Sequence, residues 1–185
     1  MSRWICATIV AVLTFAAVPV HAGGWSIGSN LGISVLHPKG GEDNLLALGV
    51  PGSAGQLVPG FQPGLRLGFG ASGNEGFFDV GLNTLAVSGE TISAFQVSAN
   101  YQHDFSATGS SSYFTVGAGI LGQSYESQTH SNLIVGGGLG VRNRVADGHG
   151  ALRAEMRLDY ITEDTRGFVG GLLFGIKFGF DLWMR

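Results

Sequence analysis

Charge is scarce in this 185-residue chain: ten Lys and Arg with thirteen Asp and Glu make up only 12% of it. A net charge of −3 leaves no basic surface for a polyanion, so no nucleic acid is expected as a partner. The single cysteine, Cys6, excludes a disulfide framework. Proline is sparse, at five residues, and nothing resembling a linker or charge block divides the chain. Beyond residue 22 no apolar run reaches the roughly 20 residues that a membrane helix needs, which excludes a helical membrane protein.

Glycine is plentiful instead, at 32 residues, beside a hydrophobic content of 44%. The first 22 residues have a positive start at Arg3, an apolar run from Trp4 to Val18 and the small exit Val20, His21, Ala22. That is the layout of a secretory signal peptide, with cleavage expected after Ala22. Cys6 lies inside it, and residues 23–185 are read as one domain.

The later chain is written in a period of two. Leu152, Ala154, Met156, Leu158 and Tyr160 alternate with Arg153, Glu155, Arg157 and Asp159. Phe174, Ile176, Phe178, Phe180 and Leu182 alternate with Lys177, Asp181 and glycines. Successive side chains of a strand point to opposite faces, so each of these strands has one oily and one charged face. The pattern predicts eight strands: Trp25–Leu36, Gly64–Gly70, Phe77–Val87, Ile92–Phe105, Tyr113–Tyr125, Asn132–Val145, Ala151–Thr162 and Gly167–Leu182. Each is near the length that a tilted strand needs to cross a bilayer. A soluble sandwich shares such alternation, but eight such strands behind an export signal favour a closed, antiparallel, up-and-down transmembrane β-barrel. Closure leaves no backbone edge unpaired in lipid.

The connections set an orientation. Residues 71–76, 106–112 and 146–150 are short and rich in turn formers. Aromatics bunch beside them, and Trp25, Phe69, Phe78, Tyr101, Phe105, Phe114, Phe178 and Phe180 are expected to form a girdle at the periplasmic interface; Phe77 and Tyr113 crowd the same turns. The long excursion His37–Pro63 belongs to the opposite, outer rim. Its apolar stretches make it the expected place for an extracellular ligand, although Leu45, Leu46 and Leu48 also suit a loop packed on itself.

Parity puts Arg66, Arg142, Arg144, Arg153, Arg157 and Lys177 in the lumen with Asp79, Asp104, Glu155, Asp159 and Asp181. This near balance predicts paired charges filling an interior that eight strands leave only wide enough for side chains, hence no open pore. A narrow channel is the alternative. Many glycines share the inward parity and leave room for long side chains. No catalytic constellation emerges: His130, Ser131 and Asn132 loosely resemble the His, any residue, Ser, Asn signature of outer-membrane lipid A deacylases, but the spacer is missing. Adjacent strand residues face opposite sides, so His130 and Ser131 cannot form a base and nucleophile. His37, His103 and His149 lie too far apart for a metal site, and His103 reads as an interfacial side chain. Gly136, Gly137, Gly138 and Gly140 precede no helix on which a phosphate could sit. No enzyme activity, cofactor or metal is expected.

The whole of residues 23–185 resembles, in architecture, the small eight-stranded outer-membrane barrel family, which includes the transmembrane domain of outer membrane protein A and outer membrane protein X. The last strand, Phe174, Ile176, Phe178, Phe180, Leu182, is similar to the signal read by the barrel-assembly machinery, although such strands usually end on an aromatic residue and this one runs on through Trp183 and Met184 to Arg185. The resemblance implies residence in the outer membrane, contact with its lipids, insertion by that machinery, and a role in envelope integrity, adhesion or host interaction.

Overall fold

The computed structural model describes residues 24–38, 45–49, 64–71, 73–87, 90–106, 109–125, 128–145, 149–162 and 170–184. The expected signal peptide, and residues 39–44 and 50–63 of the long excursion, lie outside them. The described elements are all strands: β1 (Gly24–Pro38), β2 (Leu45–Gly49), β3 (Gly64–Ala71), β4 (Asn74–Val87), β5 (Glu90–Asp104), β6 (Ser110–Tyr125), β7 (Gln128–Val145), β8 (Gly150–Ile161) and β9 (Gly171–Met184). Each pairs antiparallel with its neighbour, and β1 pairs with β9 from Trp25↔Met184 to Pro38↔Gly171, so the sheet closes into an eight-stranded barrel.

The short β2 is the departure from the expected topology. Its residues fall within the expected loop, yet Leu45–Gly49 forms a ladder with β1 from Leu36↔Leu45 to Gly32↔Gly49. Below it, β3 takes over the same edge of β1, from Asn30↔Gly64 to Gly24↔Gly70. The physical reason is the length of β1, which runs beyond the reach of β3. In hydrocarbon every backbone N–H and C=O must find a partner, and β2 supplies those of the outer half of β1.

Turns at the end shared by both termini are tighter than composition suggests. Gly73 adopts φ 87° and its carbonyl accepts from the Asp104 amide at 2.6 Å. That left-handed conformation suits glycine, lets the chain reverse at once, and starts β4 at Asn74 instead of Phe77. Tyr113 likewise lies inside β6, which begins at Ser110.

Burial alternates along the walls. In β8 and β9 nearly every second residue is buried, and Leu152, Met156, Leu158, Leu172, Phe174, Phe178 and Leu182 face outward exposed. The same holds around the barrel, where Trp25, Leu65, Leu67, Val97, Val116, Ile120, Leu139 and Val141 stand on the outside. The interior is the polar side. Such an inversion is unstable in water and fits a lipid exterior, because hydrocarbon welcomes the apolar face while the enclosed polar groups satisfy one another.

Candidate functional site: a charged lumen and an aromatic rim

Strand parity directs the charged side chains inward, and cross-strand register decides which of them meet. Asp181 on β9 lies beside Gly28 of β1 and Ala151 of β8, leaving space in front of its carboxylate. Arg153 fills that space with a two-pronged contact, Nε to Oδ2 at 2.6 Å and Nη2 to Oδ1 at 3.0 Å, and Nη2 also donates to Asn30 Oδ1 at 2.8 Å. A planar guanidinium suits this fork. Arg142 reaches the same carboxylate at 3.4 Å while donating to Asp104 at 3.0 Å.

Glu75 is the carboxylate that sequence reading misses. Its neighbours suggest a turn, but the early start of β4 points it into the lumen, where it pairs with Arg142 and with Arg66 at 3.1 Å and accepts from Ser26 Oγ at 2.9 Å. Arg66 is fully buried, donates to Gln102 at 3.0 Å, and lies over the Phe77 ring 3.4 Å from its centroid. Phe77 and Tyr113 thus depart from the bunch of rim aromatics: both are buried inside. Tyr113 donates to Glu155 at 3.2 Å, across the position of Gly140, where a Cβ would stand 2.4 Å from the Tyr113 ring.

A second group continues toward the outer end. Glu155 also accepts from Thr115 at 2.9 Å and faces Arg157 at 3.6 Å. Arg157 Nε spans the two oxygens of Asp159 at 2.8 and 2.9 Å, and its Nη2 donates to Asn100 at 3.0 Å. Asp79 accepts from Asn30 at 2.9 Å and faces Lys177 Nζ at 3.5 Å. Near the termini, Arg144 bonds Asp104 at 2.7 Å with its side chain 18% exposed. With Glu75 included, six cations (Arg66, Arg142, Arg144, Arg153, Arg157, Lys177) meet six carboxylates (Glu75, Asp79, Asp104, Glu155, Asp159, Asp181), and all but Arg144 are at most 7% exposed. No charge in this set lacks an opposite partner. Buried charges of one sign would otherwise carry a large desolvation cost.

Above this network the inward positions change character. Leu121, Ile134, Ile161 and Leu173 are buried there, one each on β6 to β9.

On the outer face, ring contacts link Trp25 to Phe69 (6.1 Å between centroids) and Phe69 to Phe78 (6.5 Å). A second set joins Tyr101 and Phe105 to Phe114 at 6.2 and 6.1 Å. His103 belongs to it, 5.6 Å from Phe105 and 5.5 Å from Phe114. Phe178 and Phe180 are exposed on the same face, but register puts them opposite Leu31 and Ser29, further up the wall than Trp25 opposite Met184. They share no described ring contact with the other six.

His130 and Ser131 lie on β7 opposite Gln123 and Gly122; Ser131 faces out, and the His130 side chain lies outside the described set. Among the described residues no group of three or more His, Cys, Asp or Glu could hold a metal ion, and no helix is long and apolar enough to cross a membrane.

An apolar exterior, a polar interior and full antiparallel closure define a closed eight-stranded β-barrel, the fold of the small outer-membrane barrels. The chain is similar to the crystal structure of Neisserial surface protein A, with TM-score 0.61 and 13% identity over 89% of this chain and 100% of that one. A major outer membrane protein from Thermus thermophilus superposes at TM-score 0.49 with 11% identity, covering 89% of this chain and 100% of that one. Ail, the attachment invasion locus protein of Yersinia pestis, superposes at 0.46 with 16% identity, covering 88% and 100%. No known protein family and no curated protein matches the sequence.

Proposed function

We propose that this protein resides in the outer membrane and serves there as a structural or interaction barrel, with no open pore and no catalytic turnover. The observation that carries this reading is the balanced network of six cations and six carboxylates, cross-linked through the middle of the lumen. A conducting path needs mobile water, whereas here Arg66, Arg142, Arg144 and Arg153 are held by carboxylates on other strands and Arg157 by Glu155 and Asp159 of its own strand. Fixed pairs of this kind tie the walls of the barrel together. The aromatic rim and apolar wall support outer-membrane lipids as the standing partners, and the alternating β9 supports delivery by the barrel-assembly machinery. An enzyme reading finds no support in the paired lumen, where Tyr113 and Thr115 are both engaged with Glu155 and no base stands beside a free nucleophile among the described residues.

Planar-bilayer recording of the reconstituted protein tests the closed lumen. The expected result is no conductance above the bare bilayer. A steady conductance that changes in Arg153→Ala or Glu155→Ala would establish the channel alternative. Mass spectrometry of lipid A from cells with and without the protein is expected to give identical spectra; a deacylated species would show an enzyme.

A further inference from the structure

The outward face near the termini carries one polar constellation inside the aromatic cluster. Asn74 on β4 and His103 on β5 are direct ladder partners, and His103 in turn faces Phe114 on β6. Asn74 Oδ1 accepts from the Tyr101 hydroxyl and stands 2.9 Å from His103 Nδ1. An amide oxygen only accepts, so the tautomer that satisfies this contact carries its proton on Nδ1 and leaves Nε2 its lone pair. No described residue donates to Nε2. Phe105 meets the imidazole ring edge-on at 86° and Phe114 flanks it, so the ring stands in an apolar frame open to the lipid side. Asp104, the nearest carboxylate along β5, points the other way and is held by Arg142 and Arg144.

The geometry points to a lipid-headgroup site at this rim, selective for phospholipids whose headgroup ends in a primary ammonium. Such a headgroup can donate an N–H to His103 Nε2 while its charge rests against the faces of Phe105, Phe114 and Tyr101. A quaternary ammonium enjoys the same ring contacts but has no N–H to give. Discrimination therefore comes from one hydrogen bond, and Asn74 acts as a positioning residue that fixes which ring nitrogen is presented. The site rests on the reading of this end as the rim lying at headgroup depth.

The test uses the full-length barrel reconstituted in bilayers of equal parts ethanolamine and choline phospholipid with identical acyl chains. Folding is first verified by heat-modifiable mobility on a gel, so a failure of the barrel reading shows there and is separate from a failure of the site. Lipids retained by the folded protein are then counted by native mass spectrometry, and the His103 ring nitrogens are followed by NMR. The wild type is expected to retain the ethanolamine lipid about tenfold over the choline lipid, the low end of the worth of one hydrogen bond from a charged donor, and to shift the Nε2 signal only with ethanolamine present. His103→Phe, a change the apolar wall tolerates, is expected to fold normally and hold both lipids equally. Asn74→Leu keeps the imidazole but frees its tautomer, and is expected to reduce the preference. Equal retention by the wild type, or a preference that survives in His103→Phe, overturns the site.

Discussion

Glu75 sits where two guanidinium groups converge, and its removal leaves Arg66 and Arg142 short of a partner inside the lumen. Truncating one member of a buried ion pair typically costs about 3–5 kcal/mol, because the remaining charge stays desolvated. Glu75→Ala is therefore expected to lower the urea midpoint of the folded barrel by a corresponding amount, while Glu75→Gln, which keeps an acceptor for Ser26, loses less. Tryptophan fluorescence of the protein refolded in vesicles measures both. Gly140 has the opposite sensitivity. A Cβ there would stand 2.4 Å from the Tyr113 ring and 2.5 Å from the Ala154 carbonyl, so Gly140→Val forces Tyr113 off Glu155 and strains the wall. Overpacking of this kind costs typically about 1–3 kcal/mol, and unfolding of Gly140→Val alone and combined with Tyr113→Ala separates the two clashes. The double variant is expected to recover only part of the loss, since the carbonyl contact persists.

Among the elements, the walls are the most legible part. Leu152 to Tyr160 and Phe174 to Leu182 alternate so cleanly that their outward faces follow from parity alone. The hairpin between β3 and β4 is less so, because Ala71 to Gly76 reads as turn residues throughout. A single glycine at positive φ compresses the turn and releases Glu75 into the strand. Gly73→Val is thus expected to cost about 1–2 kcal/mol, the penalty of a left-handed conformation for a residue with a side chain. Hydrogen exchange of the Asp104 amide, which bonds the Gly73 carbonyl, should show the local opening before any global loss. The β2 segment is hidden for a different reason: four apolar residues and a glycine carry no period that separates a strand from a packed loop, and only the unpaired outer edge of β1 requires it there.

At the scale of the whole molecule, the inside and outside of the barrel respond differently to the same substitution. Leu139→Arg or Leu152→Arg puts a charge against hydrocarbon and is expected to destabilise insertion by about 2–4 kcal/mol near the bilayer midplane, less toward either interface. Arg153 tolerates its own charge at the same height because Asp181 and Asn30 receive it. Equilibrium folding into vesicles with denaturant dilution measures the difference. Closure through the β1 and β9 ladder also makes the native barrel resist detergent at room temperature and unfold on boiling, so unheated and heated samples are expected to migrate apart.

Strand alternation, the polarity of the two faces and the near balance of inward charge are already present in the amino-acid order, since they depend only on a period of two and on side-chain chemistry. Who meets whom is a matter of the folded barrel. Arg153 pairs with Asp181 on the neighbouring β9 and with Asn30 across the closure on β1. Phe77 and Tyr113 leave the rim for the lumen, and Glu75 completes the charge balance. Parity is a local property of the backbone, fixed residue by residue. Partnership depends on the stagger between strands and on closure, and both are set by hydrogen bonds between segments distant in the chain.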